Sequence, residues 1–358
     1  MLQPAETFSP ARSRVGSPRL WLGLLVSAVF AVLLVLHTDP SKVLGALRQA
    51  NYWWVVPAVA VYFASVWVRA VRFRYIVAGV GRVSARALFP ILVLGYMANN
   101  LLPARAGEFV RAYILGARHN IPKMAALGTV AVEDLFDGLT LLGFLAATVL
   151  LLGGGGALHD LTLVSIAIFA AALAVFVVAL AAPDLAERLV AGSTRLPPAR
   201  FRDKAHDLAW SFVEGLRSLR HPNAFAWVAG TSVAAWLMEA VAFMFVGYAF
   251  GMHIGFGWYM MAVGAGNLAI AAPSSQGGVG PFELFVKQVL VAAAVPGSVA
   301  AAYGLAVHVV ILVPPTVLGL YYLWSMNLSI GCLRSMSLSL PSLRAQPVPA
   351  YAPVTIDD

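Results

Sequence analysis

A single cysteine, Cys332, stands in the 358-residue chain, which excludes an internal disulfide and any cysteine-based metal cluster. Charge is scarce as well: Asp, Glu, Lys and Arg make up 11% of the residues, against 60% hydrophobic. Long polar stretches are missing. The longest, 183–222, runs to about forty residues, well short of the ~100 of a typical soluble domain. Catalytic signatures are absent too: there is no HExxH, no GxSxG elbow, no P-loop and no lipid-phosphatase motif. Carboxylates do come in pairs, but without a nucleophile or a metal-ligand set beside them. No catalytic residue, metal site or cofactor is therefore assigned, and the balance is against an enzyme.

What the chain has in abundance is apolar sequence, with a mean hydropathy of +0.82. This predicts an all-α polytopic membrane protein. The net charge of +8 then reads as the positive-inside bias of cytoplasmic loops, with no nucleic acid as partner. A span needs about 20 apolar residues. About six full transmembrane helices are expected, at 20–36, 52–68, 124–152, 161–182, 224–250 and 299–324. Interface-seeking aromatics such as Trp21, Tyr52, Trp53, Trp54, Trp227, Tyr321, Tyr322 and Trp324 mark several ends. The first segment follows Arg12, Arg14 and Arg19 like a signal peptide, yet it is long and lacks a small-x-small cleavage pattern, so it reads as a retained helix.

Two further apolar segments, 87–101 and 258–272, reach only about 22 Å as helix. Each stops at a loop rich in Gly or Pro, "LPARAGE" and "PSSQGGVGPFE", and resumes as a short helix at 108–117 or 282–294. That pattern predicts two re-entrant helix pairs. Charge counting supports it. If the first pair returns to its own side, the basic stretch 69–86, Arg118, Lys123, the linker 183–222, Arg334 and Arg344 all lie inside; a full crossing would put the linker outside. The pairs are then oppositely oriented, as in an inverted repeat, with their tips meeting near the midplane. "GEFVRAYIL" and "FELFVKQVL" echo one another faintly just past each loop. The expected organisation is a cytoplasmic tail at 1–19, one membrane domain at 20–326 and a cytoplasmic, disordered-looking tail at 327–358. Both termini would face the cytoplasm of a cell (plasma or inner) membrane. Within the linker, Phe201, Ala205, Leu208, Ala209, Phe212, Val213, Leu216 and Leu219 form an apolar stripe that fits an amphipathic surface helix or a cytoplasmic helical hairpin.

Six acids fall at membrane depth: Glu108, Glu133, Asp134, Asp137, Glu239 and Glu283. Each needs a partner or a wet cavity. Glu133 and Asp137 share a helix face at the depth of the first tip, so a cluster of Arg105, Glu108, Arg111, Glu133 and Asp137 is expected. Helix N-termini just past both tips would add positive dipole ends, and together these features suit an anion such as a lipid phosphate. Asn99, Asn100, Asn267, Ser274, Ser275 and Gln276 are placed to complete the hydrogen bonding. A purely structural role, through Glu108–Arg111 and Arg105–Asp137 ion pairs, stays open. Asp134 lies on another helix face and reads as structural. Glu239 has no evident partner, and His308 is either a proton carrier or a hydrogen-bonded core residue.

"NNLLPARAGEFVR", "VEDLFDG" and "PSSQGGVGPFE" together resemble the lysylphosphatidylglycerol synthase transmembrane region family, also described as flippase-like. The similarity runs from about residue 20 to 326. The second motif departs from the family pattern, with Glu133-Asp134 where Glu-Arg is usual. By position the resemblance points to Arg105, Glu108, Arg111, Glu133, Asp137, Gly277, Gly278, Gly280 and Glu283 as site residues. It implies a membrane role with an anionic phospholipid or polyprenyl-phosphate-linked lipid, without the aminoacyl-transfer domain carried by some members. A lipid-modifying transferase and a non-catalytic partner of a separate synthase are the rival readings, and either a homodimer or such a synthase is open as a protein partner. The topology has a direct test: a tag inserted near Pro198 should be unreachable from outside intact cells, and surface labelling there would invert the scheme.

Overall fold

A computed structural model describes residues 38–102, 105–152, 222–270, 276–326 and 328, with isolated helical positions at 25, 29, 32, 167, 170, 171, 173 and 174. Among the described residues all regular structure is helical: α1 (Pro40–Gln49), α2 (Val55–Val77), α3 (Ala85–Leu101), α4 (Ala106–His119), α5 (Lys123–Leu152), α6 (Pro222–Ala249), α7 (Phe256–Ile270), α8 (Pro281–Ala292) and α9 (Gly297–Ser325). Four stretches are long and apolar enough to cross a membrane: Tyr52–Val77, Lys123–Leu151, Pro222–Ala249 and Gly297–Ser325. These coincide with four of the six spans read from sequence. The segments at 20–36 and 161–182 fall almost wholly outside the described residues, as do the linker helix and both tails.

Two starts follow the local chemistry of the chain. Asp39 caps α1 by accepting from the Ser41 N–H at 3.0 Å, with Pro40 in the first turn where a missing N–H costs nothing. Ser84 accepts from the Ala87 N–H and opens α3. The α1 helix was not anticipated: its ten residues are polar on balance and have no buried member. The larger departure is in α2, which runs nine residues past the expected end of the second span and carries Arg69 and Arg72 with it. The basic stretch that looked like loop from residue 69 is loop only after Val77.

The order long helix, short pair, long helix occurs twice, as α2, α3–α4, α5 and as α6, α7–α8, α9. α2 and α6 are antiparallel: Tyr75 stacks on Trp227 at one end, and Trp54 meets Phe245 and Tyr248 at the other. Because α3 follows the end of α2 and α7 follows the end of α6, the two short pairs begin at opposite ends of this scaffold. The first pair packs in a core with the end of α2 and the start of α5. The second packs with α6, α9 and the later part of α5. Between helices in lipid, close packing and hydrogen bonds rather than water exclusion supply the holding force.

Each pair is a tight antiparallel hairpin, and glycine sets the closeness. A Cβ on Gly107 would stand 2.0 Å from the Gly95 carbonyl oxygen, so α3 and α4 touch backbone to backbone. Asn99 completes the turn by accepting from the Gly107 N–H at 2.7 Å, one of the donors a helix start leaves unserved. Arg105 takes a left-handed conformation at φ 51°, uncommon outside glycine. In the second hairpin Gly277, Gly278 and Gly280 have φ of 71°, 73° and 101°, which reserves the turn for glycine. Pro314 and Pro315 lie inside α9 beside both turns.

The two elbows meet. The Asn100 carbonyl lies 4.0 Å from where a Cβ on Gly277 would stand, and Leu312 of α9 wedges against the same point. The Asn100 side chain donates to the Leu312 carbonyl at 3.1 Å and to Thr316 Oγ1 at 2.8 Å. Gly107→Ala should therefore force the first hairpin apart and cost about 3 kcal/mol, while Gly138→Ala, with nothing within 4 Å, should be silent. Thermal unfolding of the detergent-solubilised variants measures the contrast.

Candidate functional site: a neutral charge cluster beside two joined elbows

The expected five-residue cluster divides in two. Its buried part draws on five helices. Arg72 of α2 is fully buried and forks onto Asp137 of α5, Nη1 to Oδ1 at 2.5 Å and Nη2 to Oδ2 at 3.0 Å. The same guanidinium reaches Glu133 Oε1 at 2.9 Å and Ser232 Oγ of α6 at 3.0 Å. Arg111 of α4 takes the other oxygen of Glu133 and lies 4.9 Å over the Phe73 ring. Arg69 donates to Glu239 of α6 at 2.7 Å and lies 4.0 Å over the ring of Trp236, whose Nε1 donates to Asp137 at 2.8 Å. Asn267 of α7 closes the chain with a 3.2 Å bond to Glu239.

Three arginines face three carboxylates, so the six charges cancel. Each ion would cost several kcal/mol to bury alone, and only pairing with good geometry repays this. Bidentate forks and aromatic faces provide that geometry. Arg111, Glu133 and Asp137 are thus committed to one another and to α2. Arg69 and Arg72, expected in a loop, are the arginines that complete the set, and Arg69 is the partner of Glu239. A signal was present: Ala70, Phe73, Ile76 and Val77 continue the apolar helical spacing past Val68 and put Arg69 and Arg72 one turn apart on one face.

The other part lies at the first elbow and is open. The Arg105 side chain is 50% exposed, contacts Glu108 Oε1 through Nε at 2.7 Å, and approaches Asp134 at 4.0 Å. Asp134, read as structural from its helix face, is the α5 carboxylate that faces Arg105, whereas Asp137 is held by Arg72. Neither the Glu108–Arg111 nor the Arg105–Asp137 pairing considered from sequence is the one formed.

At the second elbow, Gln276, Gly277 and Gly278 make a single 3₁₀ turn. Glu283 folds back to accept the Gly280 N–H at 2.7 Å, placing its own carboxylate at the start of α8. Its second oxygen faces His308. Asn99 and Asn100 serve the elbow itself, as above. Ser274 and Ser275 lie outside the described residues.

Comparison with known proteins places this geometry. A family profile described as the lysylphosphatidylglycerol synthase TM region matches residues 20–319. The chain belongs to this family. Members of related description include a UPF0104 membrane protein of Methanothermobacter thermautotrophicus, 24% identical over 82% of this chain and 90% of that one. A second such protein from the same organism is 26% identical over 64% and 73%. Glycosyltransferase AglD of Haloferax volcanii is 31% identical over 80% of this chain but only 50% of its own length. The chain thus spans about half of that longer relative, and the glycosyltransferase name describes the relative alone. The family match and the four apolar spans make this a membrane protein with transmembrane helices, all-helical among its described residues.

The division of the cluster predicts unequal stability effects. Arg72→Met removes the fork on Asp137 and one of the two arginines on Glu133, leaves the buried set one positive charge short, and should cost about 3–5 kcal/mol. Arg105→Ala, at a half-exposed pair, should cost no more than ~1 kcal/mol. Unfolding midpoints in detergent read both, and equal losses would remove the structural role assigned to the buried set.

Proposed function

We propose that the chain is a flippase-like integral membrane protein that binds or translocates an anionic lipid or lipid-linked substrate across the cell membrane. In this reading α3–α4 and α7–α8 are re-entrant pairs entering from opposite leaflets, within about six full spans and with both termini cytoplasmic. The observation that carries it is the junction of the two elbows, Asn100 against Gly277, between hairpins that begin at opposite ends of the long helices. Broken backbone of this kind is tolerated at membrane depth where it is packed in protein or lines a wet cavity.

Arg105 is the residue assigned to the phosphate. It is half exposed at the first elbow, it precedes the positive end of α4, and its close tie to Glu108 runs through Nε, with Nη2 only approaching Asp134 at 4.0 Å, so Nη1 is the group offered to an anion. Arg111 serves instead as part of the buried frame, and Glu283 already holds the start of α8. Glu108 and Asp134 orient Arg105. The buried cluster keeps the helices behind the elbow in place.

The decisive measurement is movement of a labelled anionic lipid in liposomes. Arg105→Ala should lower the rate roughly tenfold, the worth of one charge-assisted contact. Arg82→Ala, an exposed arginine in the loop after α2, should leave it unchanged. Equal rates in both variants, or no movement of any anionic lipid, would count against the proposal. The transferase reading draws on the name of the Haloferax relative and on the accessible Glu108 and Asp134; it requires a chemically altered lipid in cells that carry the gene and an unaltered one in cells that lack it.

A further inference from the structure

His308 of α9 is buried, and both of its ring nitrogens meet acceptors. Nδ1 lies 2.6 Å from Glu283 Oε1, and Nε2 lies 2.8 Å from the Gly277 carbonyl oxygen. A carbonyl has no hydrogen to give, so Nε2 carries one. A neutral ring with its hydrogen there turns a lone pair toward Glu283. A carboxylate facing that lone pair at 2.6 Å would be repelled, so the contact holds only when one more proton sits between the two groups. It resides on Nδ1, as an imidazolium–carboxylate pair, or on Oε1, as a neutral acid donating to the ring. Glu283 cannot turn away at no cost, because Oε2 is engaged with the Gly280 N–H. Phe282 covers the imidazole at 4.4 Å between ring centroids.

Glu283 and His308 also hold the second elbow. Glu283 bonds the Gly280 N–H, His308 bonds the Gly277 carbonyl, and each of these glycines has a positive φ. Charged and titratable groups on the surrounding elements are engaged elsewhere. Lys287, one turn along α8, donates to Thr38 Oγ1 at 2.6 Å. Glu239 of α6 holds Arg69 and Asn267. Tyr259 of α7 and Tyr303 of α9 donate to the Met252 and Phe243 carbonyls. Arg105 at the first elbow contacts Glu108, with Asp134 nearby, and Arg86 lies at the far end of α3. On α1, Asp39 and Lys42 pair with each other and Arg48 is exposed. The proton is therefore the counter-charge that this carboxylate uses.

We propose that Glu283 and His308 form a buried proton-binding site that holds the second elbow closed when loaded and frees it when empty, making the proton the coupling ion for lipid movement. The coupling role rests on the flippase-like reading; the proton site rests on the hydrogen-bond geometry alone. The sign follows from the count. At low pH the extra proton is present and both contacts stand. As pH rises it passes to water, and one contact must break: the carboxylate faces a bare Nδ1, or the ring shifts its hydrogen to Nδ1 and leaves Nε2 bare against the Gly277 carbonyl.

Glu283→Gln provides the test. Its amide oxygen can accept from the Gly280 N–H and its NH₂ can donate to Nδ1 of a neutral ring, satisfying every contact with no titrating proton. Hydrogen–deuterium exchange is followed on the full-length protein in detergent, for peptides covering residues 276–290, at times scaled to equal chemical exchange. In the natural protein, protection of the elbow should fall roughly tenfold from acidic to alkaline pH. In E283Q it should stay high throughout. A flat profile in the natural protein, or an E283Q profile that follows it, overturns the proton site, and the natural protein alone decides should E283Q fail to fold. In liposomes, an imposed pH gradient should change the rate of lipid movement by the natural protein and not by E283Q. Movement indifferent to the gradient overturns the coupling. A complete lack of lipid movement overturns the flippase-like reading and the coupling with it, while the exchange profile still decides the proton site.

Discussion

A charge buried among membrane helices has to find its opposite, and that requirement organises the centre of this protein. Three guanidinium groups from α2 and α4 meet three carboxylates from α5 and α6, with a hydroxyl acceptor and indole and amide donors filling the remaining positions. The pairing needs every participating helix at its proper depth. A shift of one turn in α2 would move Arg69 to the level of Arg72 and leave Glu239 unmatched. Apolar surfaces slide past one another in lipid with little penalty, so it is the polar set that fixes register here.

Around that frame the hairpins add a different kind of specificity. Backbone contact at Gly95 and Gly107 leaves no room for adjustment, and Asn99 and Asn100 tie the first elbow to its own outgoing helix and to α9. The accessible groups at the first elbow, Arg105, Glu108 and Asp134, therefore stand on a braced base. Stability sits in the closed cluster, while the partly exposed charged residues of the first elbow sit one turn away from it. The same arginine chemistry serves both, and burial separates the roles.

Much of the layout was legible in the sequence because the signals were strong. Long apolar runs with aromatic ends marked four spans, and two runs too short to cross, each broken by Gly and Pro, marked the hairpins. Less legible were features decided by partners distant in the chain. Arg69 and Arg72 resemble loop residues because charge commonly ends a span, although the apolar spacing continues beyond them. Their partners lie 61 to 170 positions away, beyond the reach of any local pattern. Glu133 and Asp137 were correctly placed on one face, yet the choice between Arg105 and Arg72 as partner for Asp137 depends on how α2 packs. The α1 helix escaped notice because nothing on it is buried.

The prolines of α9 bear on how the elbows behave as a pair. Pro314 and Pro315 have no N–H for the carbonyls of Val310 and Ile311, so the helix lacks two successive rungs there. Leu312, which receives the Asn100 side chain and presses on Gly277, lies between those weakened turns and the proline pair, and His308 stands one turn earlier. Both tips are thus pinned to the softest part of an otherwise stiff rod. Flexure at that joint would swing them in concert, giving the two halves of the molecule a shared lever without a contact that runs from one outer face to the other.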